Sequence, residues 1–133
     1  MTDIHTRKTD HIALSLQTKH QALHGPGLDR LIFEPNPLPQ MSLKDVEINS
    51  QFLDLPVSAP FLIGAMTGGC ENGELINQHL AEAAQACQIP MALGSQRAAL
   101  EQGSQPHIRR WAPSAILLSN IGATQLQQQG LDL

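Results

Sequence analysis

A chain of 133 residues has the length of one domain. Its 41% apolar content suits a soluble globular core, while a formal charge of −4 with scattered basic residues gives no general nucleic-acid surface. Three Phe, one Trp and no Tyr exclude an aromatic platform for single-stranded nucleic acid. The two cysteines, Cys70 and Cys87, form no C-x-x-C pair, and no Cys/His cluster has zinc spacing. The chain therefore reads as reduced and intracellular, with the cytoplasm as its default location. Residues 1–8 are polar and lack the apolar core of a signal peptide. No apolar run approaches the roughly 18–20 residues that a membrane span needs.

In chain order, residues 1–10 are polar and are expected to be poorly ordered without a partner. Helical spacing of Ile12, Leu16 and Leu23 predicts a helix over 9–23, capped by Thr9 or Asp10 and ended by Gly25-Pro26-Gly27. Glu34-Pro35-Asn36-Pro37-Leu38-Pro39 predicts an extended connector, because proline fixes φ and restricts the residue before it. Residues 46–56 read as a hairpin: Val46 and Ile48 alternate with polar residues, Asn49-Ser50 supplies a turn, and Phe52, Leu53 and Leu55 follow.

From Phe61 the pattern becomes strand then helix, repeated. Residues 61–66 form a continuous apolar run, predicting a buried strand. Residues 71–88 predict a helix with Ile76, Leu80, Ala83 and Cys87 on its inner face, and with Glu71 and Glu74 near the positive end of its dipole. Residues 91–94 and 115–120 predict two further strands. Residues 97–102 and 106–111 predict short helical pieces, and a third helix runs from Ala123 to Gln129. The strand ends Met66, Gly94 and Asn120 are 28 and 26 positions apart, close to the roughly 30 residues of a βαβ unit. Successive units of this kind imply parallel strands with right-handed crossovers, in a doubly wound sheet or a (β/α)8 barrel. A barrel needs about 250 residues. Three units with open edges read as an incomplete fold of poor stability.

Each predicted strand ends in small or polar residues: Met66-Thr67-Gly68-Gly69, Gly94-Ser95-Gln96-Arg97, and Ser119-Asn120 before Ile121-Gly122. Ligand sites of parallel α/β folds lie at the carboxyl ends of strands, so these three ends predict one rim for a polar, planar ligand. Gly68-Gly69 lets backbone approach a ligand at a helix start, or simply makes a tight turn. Arg97 offers a planar fork suited to a diphosphate, or a surface salt bridge. Asn120 can donate and accept at the edge of a heterocycle, or cap a helix. Arg7-Lys8 forms a basic pair near the terminus, and His11 lies one helical turn away. His5, His20, His24, His79 and His107 have no metal spacing and receive no role, and Cys70 reads as packing.

Taken in order, Arg7-Lys8 with His11, Gly27-Leu28-Asp29, the run 33–39, the run 59–69 around Met66, the run 92–97 around Ser95, and Ser119-Asn120-Ile121-Gly122 form a set. This set resembles the type 2 isopentenyl-diphosphate isomerases, which are FMN-dependent (β/α)8 barrels. The resemblance spans almost the whole chain and is most specific around Met66 and Ser95. It implies interconversion of isopentenyl and dimethylallyl diphosphate in isoprenoid biosynthesis, with reduced FMN as acid/base, NADPH as the source of reduction and Mg²⁺ bridging to the diphosphate. It further implies that Ala65, Met66, Thr67, Ser95 and Asn120 contact FMN. Arg7, Lys8 and His11, with Ser95, Gln96 and Arg97, would bind the diphosphate substrate. No protein residue is assigned as catalytic, and no metal ligand falls within the chain. The family's metal-site glutamine and glutamate and its FMN-phosphate grip would lie beyond Leu133, so this chain alone is expected to be inactive. A homo-oligomer is implied for the full-length parent.

The fold expected is therefore α/β, a partial (β/α)8 barrel. Residues 1–60 supply a substrate-binding arm, a helix, a Pro-rich connector and a hairpin at the barrel bottom. Residues 61–133 supply the first three βα units of the FMN-binding barrel. Two alternatives remain open: another FMN barrel such as a 2-hydroxy-acid oxidase, and a non-catalytic truncated assembly module joined to a partner through open strand edges.

Overall fold

The computed structural model describes residues 4–65, 71–102 and 107–128. The first element is helix α1, Ile4–Ser15. It starts earlier and ends earlier than its apolar spacing predicts, and it takes in residues expected to be poorly ordered. Leu16 and Leu23 fall outside it and are exposed. Of its described apolar side chains Ile12 is half-buried and Leu14 exposed, and near its end the Ser15 hydroxyl donates to the Ile12 carbonyl at 2.9 Å. Short 3-10 turns follow at Thr18–His20, Leu28–Arg30 and Leu43–Asp45. The Pro-rich connector carries neither helix nor strand. Asp45 accepts from the Ser42 backbone N–H at 2.8 Å, half of a reciprocal cap on the last turn.

The hairpin is present, with its turn moved. Strands β1, Ser50–Phe52, and β2, Leu55–Val57, pair antiparallel with Phe52 opposite Leu55. The turn is Leu53-Asp54, not Asn49-Ser50. Both turn residues have positive φ, 49° and 60°, which is what a two-residue type I′ turn requires to match strand twist.

Helix α2, Glu71–Cys87, matches the expected span to within a residue. Its C-terminus closes through Gln88 at φ 52°, with the Ile89 N–H reaching back to the Ala84 carbonyl at 3.1 Å. That is a Schellman closure with glutamine in the position glycine usually holds. The chain then enters β3, Met91–Ser95, which pairs in parallel with β4, Leu117–Asn120. On the other side of β3, Ile63 forms a single parallel bridge to Met91. The Ala92 N–H donates to Ile63 at 2.8 Å, while the Met91 N–H donates to Ile116 at 2.9 Å. The expected strand over 61–66 is thus reduced to this bridge within the described residues, and Met66 lies outside them. Helices α3, Arg97–Gln102, α4, Ile108–Trp111, and α5, Ala123–Gln128, complete the chain order.

The core lies under β3. Met91 and Leu93 alternate onto one face, where they meet Ala81 and Ala84 of α2, Ile108 of α4, and Ala112 and Ala115. This corrects the predicted inner face of α2 in part, since Leu80 does pack against the core. Ala83 and Cys87 are exposed, whereas Ala81 and Ala84 are fully buried. Alanine at 81 and 84 lets α4 come close, so contact with α4 selects the buried side. Two polar clamps hold the α4–β4 junction. The Gln85 carboxamide accepts from the Ser114 and Ala115 backbone at 2.9 and 3.1 Å and donates to the Ser114 hydroxyl at 2.7 Å. The Arg109 guanidinium donates to the Ala115 carbonyl at 2.7 Å. Among the described residues the architecture is mixed α/β, with one small antiparallel and one small parallel sheet.

Candidate functional site

β3 and β4 run the same way, so their carboxyl ends lie side by side. Ser95 is the partner of Asn120 across the ladder. The Gln96 N–H donates to the Asn120 carbonyl at 2.8 Å, which ties the two ends one residue further on. The Gln96 carboxamide donates to the Gly94 carbonyl at 2.8 Å and is half-buried. Gln96 therefore braces the rim, where the sequence suggested a ligand contact.

The register shifts between Ala92 and Ser95. Met91 and Ala92 face Leu117 and Leu118, but Ser95 faces Asn120, so β3 carries one extra residue here. Such an irregularity bends the strand and re-aims the side chains after it. The Ser95 and Asn120 side chains both emerge exposed. The Ser95 hydroxyl makes a long contact, 3.4 Å, with the Arg97 N–H. Asn120 does not cap a helix: it closes β4, and the first turn of α5 is bound by the Gly122 carbonyl through Gln125 and Leu126.

Arg97 opens α3, and its Nε donates to Glu101 Oε1 at 2.7 Å. The two side chains are 53% and 48% exposed, so the pair is held loosely at the surface. Ala65 is exposed just after the Ile63 bridge. Met66 and Thr67, expected at the same rim, lie outside the described residues. Arg7, Lys8 and His11 all fall within α1, and the described packing of α1 is against the turn Thr18–His20. The structure brings Ser95, Gln96, Arg97 and Asn120 together; the described contacts do not join Arg7, Lys8 or His11 to them.

Sequence reasoning passed over three side chains that the structure makes important. Glu101 was detectable, because it stands four residues after Arg97 on a predicted helix. Gln85 and Arg109 act across 29 and 6 positions respectively, and no local signal marks them. A cavity of about 500 Å³ opens at the opposite end of the sheet, lined by Ser58, Gln85, Gln88 and Ser114 among others. It lies before the starts of β3 and β4, away from the carboxyl ends where parallel sheets place ligands. Among the described residues no group of three or more His, Cys, Asp or Glu is placed to hold a metal ion. Among the same residues no helix is long and apolar enough to cross a membrane.

No family model matches the chain. A Xanthobacter autotrophicus protein named isopentenyl-diphosphate delta-isomerase is 46% identical over 132 residues. A Pseudescherichia vulneris protein of the same name is 39% identical over 132 residues. Each alignment covers 95% of this chain and 38% of the relative. A third protein with that name, from Stutzerimonas stutzeri, is 42% identical over 91% of this chain and 36% of its own length. The chain is thus similar along nearly all of its length to isopentenyl-diphosphate delta-isomerases, and it spans somewhat over a third of the length of those relatives.

Proposed function

We propose that this chain forms part of the ligand rim of an FMN-dependent, type 2 isopentenyl-diphosphate isomerase, which converts isopentenyl diphosphate to dimethylallyl diphosphate. The observation that carries this is the joining of the Ser95–Gln96 and Asn120 strand ends by the Gln96 N–H bond at 2.8 Å. The name shared by the relatives supplies the reaction. We further infer that the parallel β3–β4 unit is a segment of a (β/α)8 barrel.

The donor set fits a flavin edge. Ser95 offers a hydroxyl and Asn120 a carboxamide that both donates and accepts, and both are exposed on adjacent strand ends. These two residues, with Ala65, Met66 and Thr67, would hold FMN; when bound in reduced form it supplies acid/base chemistry at the substrate double bond. Gln96 keeps the two ends at fixed separation. Arg97 would hold the diphosphate through its planar fork, joined by Arg7, Lys8 and His11 of α1. The chain's share of the work is position and charge. In this proposal NADPH and Mg²⁺ belong to the enzyme as a whole, and no residue of this chain is assigned to either.

Titration of FMN into the purified chain, read by flavin fluorescence, tests the proposal. Saturable binding that weakens at least tenfold in Asn120→Ala is expected. Binding that is indifferent to both Asn120→Ala and Ser95→Ala sinks the proposed rim.

A further inference from the structure

The guanidinium proposed to grip the diphosphate is not idle in this structure. Its Nε already donates to the Glu101 carboxylate at 2.7 Å, one helical turn along α3. A carboxylate bonded to a guanidinium edge presents the same two-oxygen, negatively charged chemistry as a phosphoryl group. We propose that Glu101 is an internal competitor for Arg97, occupying it when the site is empty and yielding it to the diphosphate, so that Glu101 sets how tightly the anion is held. This inference rests on the proposed role of Arg97 as a diphosphate ligand.

Two effects act with the same sign. The anion must first break the Arg97–Glu101 pair. That step is easy, because both partners are about half exposed at 53% and 48%, and pairs of this spacing on helix surfaces are weak. The displaced carboxylate then stays within a few ångströms of a ligand bearing several negative charges. Coulomb repulsion screened over that distance, added to the cost of breaking the pair, amounts to roughly a fivefold loss of affinity at low salt. Replacing Glu101 with the neutral Gln removes the repulsion and leaves at most a weaker, uncharged hydrogen bond for the anion to break.

Inorganic pyrophosphate, titrated calorimetrically into the full 133-residue chain, tests this. Glu101→Gln is expected to bind about fivefold more tightly than the parent at about 20 mM ionic strength, with the difference shrinking below about twofold near 0.5 M. Glu82→Gln removes the same charge from α2 and serves as the control; equal tightening in both variants would assign the effect to net charge and overturn the inference. Arg97→Ala separates the two levels. If it binds pyrophosphate as well as the parent, Arg97 is not the diphosphate ligand and the underlying proposal fails. If it loses binding while Glu101→Gln equals the parent, the role of Arg97 stands and the competition is refuted. Absence of binding in both the parent and Glu101→Gln also refutes it, since Glu101 would then not be what limits access to Arg97.

Discussion

Met91 sits where the proposed rim meets its support, at the start of the strand that ends in Ser95. It is 1% exposed and touches a core otherwise built largely of alanines. Met91→Ala removes about three methylene-sized groups, worth roughly 0.8 kcal/mol each in transfer from water, or about 2.4 kcal/mol. The surrounding backbone is pinned on both sides, by Ile63 and by Ile116, so the site cannot collapse fully and a residual cavity adds to the loss. The total expected is about 3–4 kcal/mol, inside the usual span for buried Met→Ala. Urea unfolding followed by circular dichroism should show the midpoint fall by more than about 1 M, with the slope unchanged. Leu23→Ala is the matched control: Leu23 is 96% exposed, and its loss should fall within about 0.5 kcal/mol of zero. A Met91→Ala cost below about 1 kcal/mol, or one no larger than that of Leu23→Ala, would refute the placement of the core beneath β3.

Other consequences are equally open to measurement. Leu53 holds φ at 49° in the hairpin turn, so the double change Leu53→Asn, Asp54→Gly should raise stability by about 1 kcal/mol in the same urea assay; the same residues placed at 49–50 should not. Gln85→Leu strips the Ser114 and Ala115 amides of their acceptor and should cost about 1–3 kcal/mol, with faster hydrogen exchange at those two amides. Arg109→Leu removes the charged donor from the Ala115 carbonyl and should cost about 1.5–3 kcal/mol, read by thermal unfolding. Cys87 is free and exposed, so it should react with a soluble thiol reagent in the native chain, whereas a buried placement on the inner face of α2 would protect it.

The sequence revealed the elements more clearly than their contacts. α2, β3 and α3 lie within about a residue of the spans that apolar runs and breakers predict, because strand and helix periods are local properties. The strand ends carrying Ser95 and Asn120 were legible for the same reason, and parallel pairing followed from the alternation of strand and helix. What failed was decided at a distance. Ala81, Ala83 and Ala84 are equally apolar, so periodicity could not say which side meets α4. The turn moved to Leu53-Asp54 because cross-strand pairing of Ser50 with Val57 fixed the register, overriding the better turn composition of Asn49-Ser50. The helix expected over 9–23 relied on a face that Leu16 and Leu23 do not bury. At the rim, the bulge and the Gln96 brace could not be read from residue type, whereas the Arg97–Glu101 pair could have been.

The rim and the cavity at the far end of the sheet make opposite demands on one spectrum. Amide chemical shifts of the ¹⁵N-labelled chain, followed during FMN titration, would locate the ligand directly. Saturable shifts centred on Ala65, Ser95, Gln96 and Asn120 are expected. Shifts centred instead on Ser58, Gln85, Gln88 and Ser114 would place the ligand at the other end and contradict the proposed function of the strand ends.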